Sequence, residues 1–356
     1  MKSIKPVRVF GAAIVFIASL ASLAHASESS NSLNTALALL KDNQRDAALA
    51  RLKKAVEENP ENAQALAVLG NVYFAGDNLA EAKKAYLKVI KMEPKNSEIL
   101  NSLGVLYMKK GEVDLAIESF KNAIGANPKY LEPYFNMGEL SLFSGNLKLA
   151  LLFFKKIAEI SPNHPFVHYK LGICRAKLGE FEEAVNEFKR AAQADPKNPQ
   201  ITSDLGFVYL SLNKPGEAAR EFEKVLKALP ESTAGHHGLG LSLKELNKQE
   251  EDLKEFQKAR EASPKFIDPA LEAGDLLKNM GRREEAKAEY RAAVALYRDL
   301  FKKEPENTEA RLRFAKALLL SGETEEAKKN FKKVMKQEPK ESLLSREARS
   351  IFEQIK

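Results

Sequence analysis

Residues 100–128 read LNSLGVLYMKKGEVDLAIESFKNAIGANP, and this stretch decides the fold. Its first part places Leu100, Leu103 and Tyr107 at the spacing of one face of a helix. Lys110-Gly111-Glu112 interrupts that pattern as a tight turn. Leu115, Ala116, Phe120 and Ala123 then resume it, and Pro128, which has no N–H with which to extend a helix, closes the segment. The stretch predicts two amphipathic helices joined by a short turn.

The same stretch recurs along the chain. Prolines stand at Pro60, Pro94, Pro128, Pro162, Pro196, Pro230 and Pro264, each 34 residues after the last, then at Pro305 and Pro339. Glycines keep the period from Gly70 through Gly104, Gly138, Gly172, Gly206 and Gly240 to Gly274. Alanines recur at Ala48, Ala82, Ala116, Ala150, Ala184, Ala218, Ala286 and Ala327. From Ala82 onward a ring follows four positions later, at Tyr86, Phe120, Phe154, Phe188, Phe222, Tyr290 and Phe331. Phe256 keeps its place in the one repeat whose alanine is replaced, by Asp252.

Glycine in the first helix and alanine in the second remove bulk at one level, so the two axes approach closely and the ring fills the space towards the next pair. Acidic pairs such as Glu182-Glu183 and Glu325-Glu326 sit where second helices begin, matching the positive end of the helix dipole. No single pair buries its apolar stripe alone, so the pairs must stack around one continuous core.

These residues resemble the tetratricopeptide repeat, a 34-residue helix-turn-helix unit. Leu100 stands where that family often has Trp. The resemblance implies an all-α, right-handed α-α superhelix of about nine units spanning 27–341, beginning near Ser29, Ala63, Ser97, Leu131, Pro165, Pro199, Thr233, Ile267 and Thr308. The first unit is degenerate in its first helix, as a terminal cap would be. Pro305 comes 41 residues after Pro264, an excess of seven, or about two helical turns. The second helix of the eighth unit is therefore expected to run on through Tyr290, Val294, Tyr297 and Phe301. In 342–356, Leu344, Ala348, Ile351, Phe352 and Ile355 form an apolar stripe, with Arg346, Arg349 and Lys356 opposite, which predicts a capping helix.

The N-terminus differs from all of this. Lys2, Lys5 and Arg8 precede an apolar stretch over 9–23, and Ala24-His25-Ala26 supplies a small-x-small cleavage pattern. Residues 1–26 read as a secretory signal peptide, giving a mature chain from Ser27 in the bacterial periplasm; an uncleaved anchor in the inner membrane is the alternative. No stable membrane span is expected after cleavage, which removes three basic residues and lowers the net charge from +7 to +4.

The 356 residues are 44% hydrophobic and 29% charged, with one cysteine, which excludes a disulfide framework and a multi-cysteine metal site. Cys174 occupies a position held elsewhere by Val72, Leu106, Leu140, Val208 and Leu276, and is read as core. His164 and His168 are four apart, yet nothing nearby completes a ligand set. In the family, His168 and His236 would fall on a large interhelix position. Lysines from Lys328 to Lys336 lie along a solvated face, and a charge this small over so long a chain is no nucleic-acid footprint. No metal, cofactor, nucleic acid or catalytic residue is expected, and the chain is read as no enzyme.

What remains is a surface. In this family the second, fifth, ninth, twelfth and thirteenth positions of the first helices face a partner. In the fourth to sixth units those positions give Phe135, Leu142, Phe143, Phe166, Tyr169, Ile173, Phe207 and Leu210. This is too apolar to face water over a large area. Either a partner protein or peptide occupies the concave groove, or neighbouring units cover it. The Lys and Asn pairs with which some members grip a C-terminal carboxylate are missing from the fifth and ninth positions. The resulting expectation is a non-enzymatic protein–protein interaction scaffold of the cell envelope that binds an apolar segment, with self-association left open. An accessory protein for polysaccharide export or glycan binding is the alternative, suggested by the rings of Phe166, Tyr169 and Phe207.

Overall fold

The computed structural model describes residues 30–355. The segment read as a signal, the start at Ser27 and Lys356 lie outside the described residues. Among those described there are 19 helices and no strand. The first 18 helices form nine consecutive pairs. The quoted stretch forms Ser97–Lys110 and Val113–Ala126, and each other pair repeats that design.

Local chemistry sets the ends. Asn62, Asn78, Asn96, Asn146 and Asn307 each precede a helix and accept a hydrogen bond from the backbone N–H three residues on, satisfying one of the donors a helix start leaves free. The turn inside every pair holds one residue in the left-handed region: Asn43, Asp77, Gly111, Gly145, Gly179, Asn213, Asn247, Gly281 and Gly322. Glycine adopts that conformation without strain, and Asn and Asp tolerate it better than other residues, which is why these three types share the position.

The glycine-and-ring device is visible at atomic scale. A Cβ added at Gly104 would lie 2.4 Å from the Phe120 ring, and one at Gly172 would lie 2.7 Å from that of Phe188. Both rings are fully buried, as are Ala116 and Ala184. The ring also meets the following pair, because a Cβ at Gly238 would come within 2.2 Å of Phe222. Each ring thus fills a slot that only the absence of a side chain leaves open.

The chain divides into two compact bodies, Met1–Val167 and His168–Lys356. In the first, Leu33, Ala36 and Leu52 of the opening pair pack with Leu69 and Val72, and Leu66, Tyr86, Leu106, Phe120 and Met137 continue the core. The first helix of that opening pair, Ser30–Lys41, is only 12 residues long. In the second body, Phe188, Leu205 and Phe222 form one cluster, Phe256, Leu276 and Tyr290 another, and Tyr297, Phe314 and Phe331 a third. The second helix of the eighth pair, Arg283–Phe301, has 19 residues where its counterpart Pro215–Ala228 has 14. Its extension brings the Phe301 ring to 5.4 Å from that of Phe314. The last helix, Leu343–Gln354, lays Ala348 and Phe352 on the ninth pair.

One residue departs from the sequence pattern. Leu115, read with the apolar stripe of its helix, is exposed, because the face buried by Ala116, Phe120 and Ala123 is too narrow to include it.

Candidate partner-binding faces

In the first body the helix Leu131–Phe143 positions three of the apolar residues picked out in the sequence. Phe135 is half-buried, its ring edge-on to Phe154 at 5.8 Å, and Leu142 is half-buried too. Phe143, the last residue of the helix, is 60% exposed. Phe166, in the first turn of Pro165–Leu178, is 59% exposed. Equivalent positions in most other pairs carry polar side chains, Ala75, Leu320 and Ala234 being the exceptions. Lys109, Lys177, Ser211, Glu245 and Asn279 stand where Phe143 does, and Glu98, Glu132, Gln200 and Asp268 where Phe166 does.

In the second body Tyr169, Ile173, Phe207 and Leu210 are half-buried against the cluster built on Phe188 and Phe222. Tyr169 lies 5.9 Å from Phe188 and Phe207 lies 4.9 Å from Phe222. The Tyr169 hydroxyl donates to Asp204 Oδ2 at 2.8 Å, and Asp204 Oδ1 accepts from Gln200 Nε2 at 2.9 Å. Burial, with the Asp204 carboxylate beside it, pushes the phenol well above its ordinary range. Burial raises Asp204 as well, against the two hydrogen bonds that favour its charged form. These four positions are thus partly used by the fold itself, whereas Phe143 and Phe166 are not.

Helix pairs of this length, repeated at this period with glycine, alanine and ring at fixed levels, leave one family. The profile described as "Tetratricopeptide repeat" matches residues 39–106, 175–240 and 288–347, more than half of the chain. A second profile of the same description matches 97–130, 131–164 and 270–300. The chain belongs to the tetratricopeptide repeat family. Several solved structures resemble it in fold. PilF of Pseudomonas aeruginosa is 20% identical with a TM-score of 0.51, over 58% of this chain and 94% of its own. YrrB, described as a TPR protein with an unusual peptide-binding site, is 25% identical with a TM-score of 0.43, over 51% of this chain and 93% of its own. Yeast Tom70 is 14% identical with a TM-score of 0.47, over 92% and 95%. No curated protein matches the chain. The tetratricopeptide fold is one that serves protein–protein interaction.

The remaining sequence candidates take structural places. His168 Nδ1 lies 2.7 Å from Glu187 Oε2, and His236 Nδ1 lies 2.6 Å from Glu255 Oε2; both histidines are buried between the helices of their pair. Cys174 is fully buried. Among the described residues no group of three or more His, Cys, Asp or Glu side chains gathers where a metal could sit. No described helix is long and apolar enough to cross a membrane.

Two features escaped the sequence reading. Leu115 and Leu149 are exposed on second helices at one repeat position, where Glu81, Glu183 and Glu217 stand in other pairs, and Leu152 nearby is 61% exposed. Comparing repeats column by column would have shown the exchange. Asp252, in the alanine column, is 1% exposed, and no side-chain donor bonds to its carboxylate. Burial pushes its pKa up to about 6, against the Leu253 backbone N–H and Lys244, with Glu250 and Glu251 adding to the shift.

Proposed function

We propose that this tetratricopeptide protein is a non-enzymatic scaffold exported to the bacterial periplasm, where its first-helix face takes up an apolar segment of another envelope protein. One observation carries the reading: Phe143 and Phe166 are exposed at positions that most other pairs fill with charged or polar side chains. Folding gains little from a ring left in water, while burial of the same ring against a partner contributes about 1.5–3 kcal/mol. Phe143 ends its helix and Phe166 begins its own, so the two mark opposite edges of the first-helix row. Export rests on the order of basic, apolar and small residues in 1–26.

The test replaces Phe143 and Phe166 with a photocrosslinking amino acid in intact cells and identifies what is captured. A single envelope protein trapped from both positions, which co-purifies with the unaltered chain but not with the double variant Phe143→Glu/Phe166→Glu while the melting temperature is unchanged, supports the reading. Capture of nothing, or a sharp fall in melting temperature, removes it. Tyr169 is unsuited to this experiment, because a glutamate there would stand beside Asp204.

A further inference from the structure

The repeats themselves provide the reference for a second site, built from other residues than the first-helix positions just described. At the fourth position of three pairs a large polar side chain reaches back to the proline carbonyl six residues earlier. Tyr134 donates to Pro128 O, His236 to Pro230 O, and Arg311 to Pro305 O. Nineteen residues on, the second helix supplies the facing group. Opposite His168 and His236 that group is a carboxylate, Glu187 or Glu255. Opposite Arg311 it is an amide, Asn330, whose Oδ1 accepts from Nη1 at 3.3 Å. The ninth pair therefore sets a permanent cation where the fifth and seventh have a histidine, and puts an amide where they have an acid.

Arg311 is 9% exposed, and its described hydrogen-bond partners are both neutral. A buried charge without a counter-charge is costly, and the structure shows no acid on this arginine to offset it. It lies instead at the base of a groove of about 720 Å³, within the range of about 300–1,000 Å³ typical of ligand clefts. Five cations line the groove, Arg298, Arg311, Lys329, Lys332 and Lys333, against one carboxylate, Glu326. That carboxylate is already paired with Arg298 at 2.8 Å. Lys329 and Lys333 are exposed, four apart on one helix face, and make no ion pair among the described residues. Phe301 and Phe314 form the apolar wall, and the Arg311 guanidinium sits 4.7 Å from the Phe301 ring.

Arg298 and Phe301 belong to the helical extension that only the eighth pair has. The seven-residue insertion thus builds a groove that no regular repeat can form. We propose that this groove binds an acidic peptide segment, with alternating carboxylates set against Arg311, Lys329 and Lys333 and an apolar side chain laid on Phe301. The row of free cations is about one helical turn long, which suits two or three acidic side chains rather than a phosphate backbone. Phe314 is buried, so there is no open pair of rings on which bases could stack. The site is independent of the first-helix reading and can stand if that reading fails.

The test is isothermal titration of the purified chain with acetyl-Glu-Leu-Glu-Leu-Glu-amide at low ionic strength, where screening is weakest. The peptide is expected to bind, and acetyl-Gln-Leu-Gln-Leu-Gln-amide is not. Lys329→Gln/Lys333→Gln, both on the surface, should weaken binding by at least about tenfold with an unchanged melt. Asn330→Glu places opposite Arg311 the acid that the fifth and seventh pairs set opposite their histidines; it should keep or raise the melting temperature and lower affinity by a similar factor. A control, Lys148→Gln/Lys155→Gln on the second helix of the fourth pair, should bind as the unaltered chain does. The proposal falls if the acidic peptide does not bind, if the glutamine peptide binds equally well, or if either groove variant retains full affinity. It falls equally if inorganic phosphate at the same concentration displaces the peptide, since the groove would then be a phosphate site.

Discussion

A phenylalanine such as Phe188 earns its place by contact on two sides, with Gly172 beneath it and the next pair beyond. Its truncation leaves a cavity that backbone glycine cannot collapse to fill. Phe188→Ala is expected to lower stability by about 3–5 kcal/mol, read from urea unfolding; a loss under about 1 kcal/mol would mean the ring is not a core element. Asp252 presents the opposite case, a carboxylate in a column built for alanine. Its pKa is raised from 3.8 to about 6, so the folded state binds the proton more tightly than the unfolded one. The stability present below about pH 4 is then lost as pH rises through about 6, by roughly 2–3 kcal/mol in all. The charged groups facing it are Lys244 from the preceding helix and Glu250 and Glu251 from its own. Asp252→Ala should therefore raise the melting temperature at about pH 7.5 and change it little at about pH 4. An equal effect at both values would show that the carboxylate is not the cause.

Helix pairs obey a steric rule that overrides propensity. Alanine is a better helix former than glycine by about 1 kcal/mol, yet a Cβ at Gly238 would meet the Phe222 ring at 2.2 Å. That ring is the packed centre of its pair and has nowhere to move, so Gly238→Ala is expected to destabilise by about 1–3 kcal/mol, as overpacking does. A gain in melting temperature would refute this. The pairing of helices, the ring column and the long helix of the eighth pair were legible in the sequence because each follows from a period that one line of text displays. The turn residue was only half legible. Glycine at Gly111 announces a left-handed conformation, whereas Asn43, Asp77, Asn213 and Asn247 adopt the same one without looking alike. Exposure was the least legible property: periodicity names the faces of a helix but not what covers them. The hydrogen bond from Tyr169 to Asp204 spans 35 residues, and Leu115 and Leu152 lie open on helices whose moment points elsewhere. Those facts depend on how one pair leans on the next.

At the scale of the molecule, a repeat array has stability that is a sum of local terms and nearest-neighbour contacts. Its ends are the weak points, because a terminal pair has one neighbour instead of two. The last helix, Leu343–Gln354, supplies that missing neighbour: Ala348 and Phe352 join the cluster holding Leu312, Phe331 and Val334. A stop codon after residue 341 would leave the apolar flank of the ninth pair in water. The expected result is loss of amide protection in Thr308–Ser321 and Thr324–Gln337, weakening through Arg283–Phe301, which shares the same cluster through Val294 and Tyr297. Protection in Ala63–Ala75 and Ser97–Lys110, helices of the other compact body, should stay as it was. Hydrogen exchange followed by mass spectrometry reads all of these segments in one experiment. Loss confined to the last pairs marks the helix as a cap acting through its neighbour alone. Uniform loss along the whole chain would show that the array unfolds as one unit, and unchanged protection at 308–337 would show that the final helix covers nothing the fold requires.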